Sequence, residues 1–240
     1  MLTSKYILFN QYFKTFMIKD LFSLVYPHTC ALCNAGLARG EFKICTRCDF
    51  RLPKFRNCDE SSSFLPLLSG AHLYSFIYAY IKYYKKGIGQ KLLQKIKYEN
   101  KPDLAFFIGN RLGLEFIPPE PGFEMILPVP LHKQKLKKRG YNQADYFAKG
   151  LSDSTGIKWL PDVICRIKNN PSQTNKSRIE RLKNVEGIFT IEKIDLIISK
   201  KILVVDDVIT TGATLMACSE ILEKAGAHVV GVASIALAKG

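Results

Sequence analysis

The segment that most constrains the fold is Ile202–Thr214, ILVVDDVITTGAT, in which an apolar run leads into two aspartates and a threonine-rich loop. The run Ile202–Val205 is rich in β-branched residues, which is typical of a strand buried on both faces of a parallel sheet. We expect this strand to end where polarity begins. Asp206 and Asp207 are then placed at its carboxyl edge, where open α/β sheets bind ligands.

The loop after the aspartates has the composition of a phosphate site. The residues that follow it carry apolar side chains at helical spacing up to Gly226, so a helix begins at the loop. Unpaired N–H groups at a helix N-terminus bind anions, and Gly212 permits close approach of the backbone. The spacings of the Walker loop and of the dinucleotide fingerprint are absent. A phosphate monoester fits this loop; the alternative is a buried strand that ends in an ordinary acidic turn.

These thirteen residues resemble the signature of type I phosphoribosyltransferases, which bind 5-phosphoribosyl 1-pyrophosphate. The resemblance implies an α/β fold with a parallel sheet flanked by helices, here over residues 70–240. It also implies that Asp206 and Asp207 contact the ribose hydroxyls of this donor. The residues implied to hold its 5-phosphate are Thr210, Thr211, Gly212, Ala213 and Thr214.

Composition sets wider limits on the chain. Its 240 residues are 47% hydrophobic, enough for a sizeable core, and its net charge of +14 favours polyanionic partners such as nucleic acid, membrane phosphate or a pyrophosphorylated substrate. No apolar run reaches the roughly 18 residues of a membrane span, and no signal peptide is evident, so we expect a soluble cytoplasmic protein. Residues 1–26 are expected to be an extension with a short helix packed on the protein; a helix lying on a membrane surface is the alternative.

Four of the seven cysteines form two C-x-x-C pairs separated by eleven residues: Cys30, Cys33, Cys45 and Cys48. Four thiolates complete a closed, structural Zn²⁺ site, so residues 27–58 are predicted to be a zinc ribbon whose metal supplies most of its folding free energy. Disulfides are the alternative, which the absence of a secretory signal disfavours. Cys58 is a spare ligand or a bystander, and Cys165 and Cys218 are expected to be small buried residues.

The middle of the chain is predicted to contain alternating strands and helices. Residues 71–81 are expected to form one or two strands, and helical spacing runs from Ile88 to Ile96 and, beyond Pro102, from Leu104 to Leu114. The strand MILPVP at 125–130 comes next. Five of the eight residues from 132 to 139 are then Lys or Arg. This basic segment is either a solvated helix face or, because it leaves the carboxyl end of a strand, a site for the pyrophosphate end of the ligand.

Two further motifs narrow the resemblance. L-H-x-x-K-x-x-x-R-G-Y-N-Q spans Leu131–Gln143, and QTNKSRIERLKNVEGIF spans Gln173–Phe189. Both are similar to motifs of the ComF family, amidophosphoribosyltransferase-like competence proteins, as is the order of the C-x-x-C ribbon, a helix ending in Lys97-Tyr98, and the C-terminal donor motif. The resemblance covers about residues 18–238. Some members have a further cysteine pair, where this chain has only Cys58.

The resemblance implies Mg²⁺ bridging the ribose hydroxyls and the pyrophosphate, with water as most of its other ligands. Lys135 and Arg139 are then the candidates for stabilising the departing pyrophosphate, while carboxylates near the ribose stabilise the positive charge that develops on the sugar. A polar stretch is either an exposed loop or a mobile loop that closes over the site: Gln173, Thr174, Arg178, Arg181 and Asn184. His132 is the only histidine near the site, and a structural role suits it equally well.

Three functions follow from the sequence. The first is a phosphoribosyltransferase that acts on an unidentified nitrogen acceptor. The second is an accessory protein of DNA uptake or processing that binds single-stranded DNA or other DNA-processing proteins, although the chain shows no helix-turn-helix and no regular aromatic platform. The third is a module that senses the donor without turnover. The oligomeric state, a homo-oligomer included, is left open.

Overall fold

The computed structural model describes residues 28–68, 74–167 and 187–238. The chain divides into two compact units, residues 1–51 and residues 52–240. The predicted N-terminal extension lies outside the described residues, as does the predicted mobile loop. Among the helices that the structure describes, none combines the length and the apolar character needed to cross a membrane.

The first unit is built from tight turns that end in helix α1, Thr46–Arg51. Two antiparallel bridges, Thr29 with Gly36 and Phe42 with Ile44, form within the two cysteine-containing segments. The N–H of Ala31 donates to the carbonyl of Lys43 over 2.8 Å and connects the two segments. The carboxylate of Glu41 accepts hydrogen bonds from the backbone N–H groups of Ala38, at 2.8 Å, and Thr46, at 2.7 Å. This carboxylate therefore ties the second turn to the first residue of α1.

The second unit is organised around a five-stranded sheet in which every neighbouring pair is parallel. Its strand order is β1-β7-β6-β2-β3, and a separate antiparallel pair is formed by β4 and β5. The parallel sheet predicted from the sequence is confirmed. The strands are β1 Phe76–Tyr83, β2 Met125–Pro128, β3 Lys158–Trp159, β4 Ile164–Arg166, β5 Phe189–Ile191, β6 Lys201–Ile209 and β7 His228–Ala238.

The sheet changes direction between β2 and β6. From β2 the chain continues outward to β3, whereas from β6 it continues to β7 on the other side. Ligands of open α/β sheets bind at the carboxyl ends of the strands at such a point. Pro128, the last residue of β2, pairs with Val205, so Asp206 and Asp207 lie just beyond the end of β2.

The expectation that the central strand stops before Asp206 is wrong. Strand β6 continues to Ile209, with Asp206 opposite Ser234 and Ile209 opposite Leu237. The cause is the length of β7, whose eleven residues offer backbone partners well past the end of β2. The polar residues of β6 therefore belong to a strand that is paired on one side and open on the other.

Helices cover both faces of the sheet. Their bounds are α2 Cys58–Ser62, α3 Ile88–Tyr98, α4 Pro102–Phe116, α5 Lys133–Arg139, α6 Gln143–Thr155 and α7 Ala213–Lys224, with short 3-10 turns at Leu65–Leu67 and Ile194–Leu196. The helical spacing read from residues 88–96 and 104–112 is confirmed. Leu114 was expected on the same apolar face, but it is 69% exposed, because it lies on the solvent side of the last turn of α4.

Alternate residues of β6 contact different helices. Ile202 and Val204 belong to the apolar cluster that contains Leu215, Cys218 and Leu222 of α7. Leu203 and Val205 are also fully buried and face the opposite side. Helices α4 and α6 lie against the sheet there.

Helices α4 and α6 approach each other closely through glycines. A Cβ atom on Gly109 would lie 2.1 Å from the carbonyl oxygen of Phe147, and one on Gly150 would lie 2.0 Å from that of Phe106. Neither position therefore accepts a side chain without separation of the two helices. This close contact fixes α6, whose N-terminus adjoins the basic segment.

Candidate functional site

The loop between β6 and α7 forms a small concavity. Its lining consists of Asp206 and every residue from Val208 to Leu215. Gly212 adopts a φ of 77°, a left-handed conformation that favours glycine, and the helix begins at the next residue. The N–H of Ala213 donates to the Thr211 hydroxyl over 3.4 Å. The five residues predicted to hold a phosphate thus surround one hollow at the N-terminus of α7.

Asp206 and Asp207 are adjacent in sequence but point to opposite faces of β6, because side chains alternate along a strand. The N–H of Asp207 donates to Oδ1 of Asp206 over 2.7 Å. On its own face, Asp207 binds Lys97, with 2.9 Å between Oδ2 and Nζ. Alternation and this ion pair together explain how two neighbouring carboxylates coexist at the end of a buried strand.

Asp206 lies on the α7 side of the sheet in a poorly solvated position. Burial and then the charge of Asp207 raise the pKa of Asp206 to about 7, although Lys97 and Arg166 act in the opposite direction. Burial and the charge of Asp206 likewise raise the pKa of the Cys218 thiol in α7. Asp206 is therefore close to changing its charge at neutral pH.

Lys97 is the last lysine of α3 and approaches the site from the Asp207 side. Burial lowers the pKa of this ammonium, but the attraction of Asp207 and Asp206 outweighs the effect, so the net shift is upward. The lysine side chain is 23% exposed and that of Asp207 16% exposed. This contact is thus largely screened from solvent and favours the charged form of Lys97.

The R-G-Y-N-Q motif holds the end of α3 against the end of β2. The Tyr141 hydroxyl donates to the carbonyl of Ile96, and the Arg139 guanidinium lies 5.8 Å from the centre of the Tyr98 ring. Asn142 donates from Nδ2 to the carbonyl of Val129 over 3.0 Å and caps α6 with its Oδ1. The motif therefore has a structural role: it places Lys97 beside β6.

The basic segment is a short helix with two different faces. Lys135 and Arg139, four residues apart, are half-buried, whereas Lys133, Lys137 and Lys138 are exposed. Burial, followed by the positive charges of Arg166 and Arg139, lowers the pKa of Lys135. Arg139 also donates to Oε1 of Gln143 over 2.9 Å.

His132 has a structural role in the same helix. Its Nδ1 accepts from the N–H of Gln134 over 3.3 Å, so the imidazole caps α5. Of the two roles considered from the sequence, the structural one is present in the fold.

Two cations of the site were not among the residues expected from the sequence to act there. Lys97 was noted only as part of a family pattern, and Arg166 of β4 was not noted. Arg166 stands alone in an apolar stretch, so no local signal marks it; its pKa is lowered by burial, which the nearby charges of Cys218 and Asp206 partly oppose. Both residues reach the acidic pair only through the tertiary fold.

The four cysteines of the first unit form one group in which the sulfur atoms all lie within 4.8 Å of one another: Cys30, Cys33, Cys45 and Cys48. Zn–S bonds of about 2.3 Å at tetrahedral angles place sulfurs about 3.8 Å apart, and Cys33 and Cys45 are 3.7 Å apart. Burial raises the pKa of Cys30, but N–H donors such as that of Cys45, at 3.3 Å, outweigh it and lower the pKa to about 6. The donor set and its spacing fit a zinc ion.

The other three cysteines lie outside this group. Cys58 begins α2, in the second unit, and its thiol donates to the carbonyl of Ile77 over 3.6 Å. Cys218 is fully buried in the apolar core, as expected, and Cys165 in β4 is half-buried. None of the three extends the metal group among the described residues.

Residues 138–240 match the family model described as "Phosphoribosyl transferase domain". The second unit, with its parallel sheet and its loop at the switch point, therefore contains a phosphoribosyltransferase-like domain. The mobile loop predicted at 173–184 falls within this match, but it lies outside the described residues.

Two relatives narrow the class. The chain is 36% identical over 121 residues to Competence protein F of Haemophilus influenzae, and the aligned segment covers 48% of this chain and 51% of that protein. It is 26% identical over 223 residues to DNA utilization protein YhgH of Escherichia coli K12, which covers 87% of this chain and 96% of that protein. The chain thus spans about half of the first relative and nearly all of the second. It is a homologue of these competence and DNA-utilization proteins, which confirms the resemblance drawn from its motifs.

A solved structure was also found to be similar. It is described as "Structure of the allosteric regulatory enzyme of purine biosynthesis", with 19% identity, coverage of 59% of this chain and 30% of that chain, and a TM-score of 0.41. A superposition of that quality carries nothing over about ligands or activity.

Proposed function

We propose that the second unit binds 5-phosphoribosyl 1-pyrophosphate and transfers its phosphoribosyl group to a nitrogen acceptor. The observation that carries the proposal is the meeting, at the β2–β6 switch point, of the Thr210–Thr214 hollow with an acidic pair and surrounding cations. This donor has a phosphate at one end, a diol in the middle and a pyrophosphate at the other end. These three groups match, in turn, the hollow, the acidic pair and the cations.

Each part of the site would have one role. The N–H groups and hydroxyls of the loop bind the 5-phosphate, and Asp206 and Asp207 accept hydrogen bonds from the ribose hydroxyls. Displacement at the anomeric carbon develops positive charge on the sugar, which the carboxylates stabilise. Lys135 and Arg139 stabilise the negative charge of the departing pyrophosphate. A bound Mg²⁺ would add positive charge beside the ribose hydroxyls and the pyrophosphate.

The acidic pair offers the direct test of donor binding. We expect Mg²⁺-dependent binding of the donor by titration calorimetry, and its loss in an Asp206→Asn/Asp207→Asn double variant. A matched control is Asp153→Asn/Asp162→Asn, which removes two carboxylates from other parts of the surface of the same unit. Unchanged affinity in the first variant, with the fold intact by circular dichroism, contradicts the assignment.

Turnover requires a separate assay. Pyrophosphate release should rise when the correct acceptor is added to protein, donor and Mg²⁺. A panel of purines, pyrimidines and amines gives the acceptor class directly. If donor binding is present and the whole panel produces no pyrophosphate, the site senses the donor and does not transfer it.

The first unit supports a second function, binding of single-stranded DNA. Phe42 and Phe50 are 63% and 89% exposed, and four cationic side chains lie close to them in the sequence. Exposed aromatic rings beside cations stack on nucleic-acid bases. The names of the relatives refer to competence and DNA utilization. The neighbouring cations are Arg39, Lys43, Arg47 and Arg51.

An oligonucleotide assay tests this second function. Fluorescence anisotropy with labelled oligothymidylate should show binding that weakens in Phe42→Ala/Phe50→Ala. Tyr84→Ala, which removes a 55% exposed ring from the second unit, is the control. Equal weakening in both variants, or none in the double variant, argues against a stacking surface on the first unit.

A further inference from the structure

Lys97, one partner of the ion pair with Asp207, lies outside the domain match, which begins at residue 138. Lys97 comes from α3, which precedes β2 in the chain, and the Nζ–Oδ2 distance is 2.9 Å. The side chains are 23% and 16% exposed. By contrast, the surface pair of Lys101 with Glu99 is longer, 3.7 Å, and its side chains are 35% and 48% exposed.

Asp206 and Asp207 are each engaged through one carboxylate oxygen. Asp207 has Oδ2 engaged by Lys97, and Asp206 has Oδ1 engaged by the N–H of Asp207 at 2.7 Å. Each aspartate is thus held through one oxygen, and its other oxygen has no hydrogen-bond partner among the described residues.

Lys97 is itself held in place by the R-G-Y-N-Q motif. The Tyr141 hydroxyl binds the carbonyl of Ile96, one residue before Lys97, and Arg139 lies over Tyr98, one residue after it. Lys97 therefore extends from a helix end whose position is fixed by contacts to the residues on either side of it. A charged donor in a fixed position orients a carboxylate, whereas a mobile surface lysine does not.

We propose that Lys97 is a positioning residue for the sugar. It turns the remaining oxygen of Asp207 towards a ribose hydroxyl, and in this way it gives the site its preference for ribose over deoxyribose. This inference rests on the proposed donor function and names the residue that determines sugar specificity there. Lys97 acts through Asp207 and does not contact the reacting atoms.

Sugar discrimination is the readout that separates positioning from general stabilisation. Ribose 5-phosphate and its 2-deoxy and 3-deoxy analogues are compared as competitors of the donor. The unaltered protein should prefer ribose 5-phosphate over at least one analogue by about tenfold or more, as expected for a hydrogen bond to a charged group. Lys97→Met should reduce that ratio to about twofold or less.

Three further variants complete the design. Lys97→Arg should restore most of the discrimination, because a guanidinium also binds a carboxylate. Lys95→Met removes the other largely buried lysine of α3, which pairs with Glu99 at 2.8 Å, and should keep the ratio of the unaltered protein. Lys97→Met/Asp207→Asn should lose no more discrimination than Asp207→Asn alone, because the lysine acts through that carboxylate.

The outcomes separate this inference from the function on which it rests. If the folded Lys97→Met protein binds every sugar phosphate more weakly but keeps the discrimination ratio, Lys97 contributes only charge and the inference is overturned. Equal loss of discrimination in Lys95→Met overturns it as well. If the unaltered protein binds neither the donor nor ribose 5-phosphate, the donor function itself fails.

Discussion

The hydrogen bond from Tyr141 to the end of α3 should stabilise the second unit measurably. Helix α3 ends at Tyr98, so the carbonyl of Ile96 is among the last four of the helix, which have no partner within it. The Tyr141 hydroxyl satisfies that carbonyl, and both residues are buried. Tyr141→Phe keeps the ring and removes the hydroxyl that binds Ile96.

The magnitude follows from the burial of the acceptor. Leaving a buried carbonyl without a partner costs about 1–3 kcal/mol. For a chain of this length, each kcal/mol shifts the melting temperature by about 2–4 °C, so the expected fall is about 2–12 °C. Because Lys97 follows Ile96, we also expect weaker donor binding in Tyr141→Phe at temperatures where the protein is fully folded.

The single tryptophan of the chain makes the assay specific to one unit. Trp159 lies in β3, where its Nε1–H donates to Asp145 over 2.9 Å, so its fluorescence follows unfolding of the second unit alone. The control is Tyr146→Phe, whose ring lies 5.5 Å from that of Tyr141. This change should stay within about 0.5 kcal/mol. If Tyr141→Phe melts at the same temperature as Tyr146→Phe, the bond to Ile96 has no stabilising role.

Three further predictions concern the metal, the acidic pair and the loop. Protein purified without chelator should contain about one zinc per chain by elemental analysis; Cys33→Ser should lose it and Cys58→Ser should retain it, and equal contents would argue against the four-cysteine site. Because the pKa of Asp206 is raised to about 7 in the folded protein, its contribution to stability is full below about pH 4 and is lost as the pH rises through about 7. Urea unfolding at pH 5 and pH 8 should therefore show a smaller stability difference in Asp206→Asn than in the unaltered protein, and an equal difference would contradict the raised pKa. Gly212→Ala forces a side chain into a φ of 77°, which should cost about 1–2 kcal/mol and weaken donor binding by calorimetry, whereas Gly36→Ala, where a Cβ meets nothing within 4 Å, should change neither.

Local patterns in the sequence were sufficient to predict the sheet and the loop between β6 and α7. The apolar run before Asp206, the Gly212 turn and the apolar spacing of α7 are all short-range signals, and each corresponds to an element that the structure contains. The end of β6 could not be predicted in the same way. It depends on how far β7 extends beside it, and the sequence of β6 carries no information about the length of its neighbour.

The cations of the site separate into those that local sequence can indicate and those that it cannot. Lys135 and Arg139 share a motif and a helix face, so their half-buried position was accessible from spacing. Lys97 lies 110 positions before Asp207, and Arg166 lies in another strand. Such contacts depend on the packing of α3 and β4 around the sheet, which no spacing rule specifies.

The fold reduces the electrostatic repulsion between the adjacent carboxylates of Asp206 and Asp207. Two neighbouring carboxylates at the end of a buried strand repel each other unless water, a cation or ligand hydroxyls satisfy them. The strand reduces this repulsion because it directs Asp206 and Asp207 to opposite faces. Lys97 compensates negative charge by direct contact on one face only, that of Asp207. Asp207 has a lysine at 2.9 Å, while Asp206, which lacks so close a cation among the described residues, has a raised pKa. A ligand that brings hydroxyl donors and positive charge to this edge therefore favours the ionised form of Asp206.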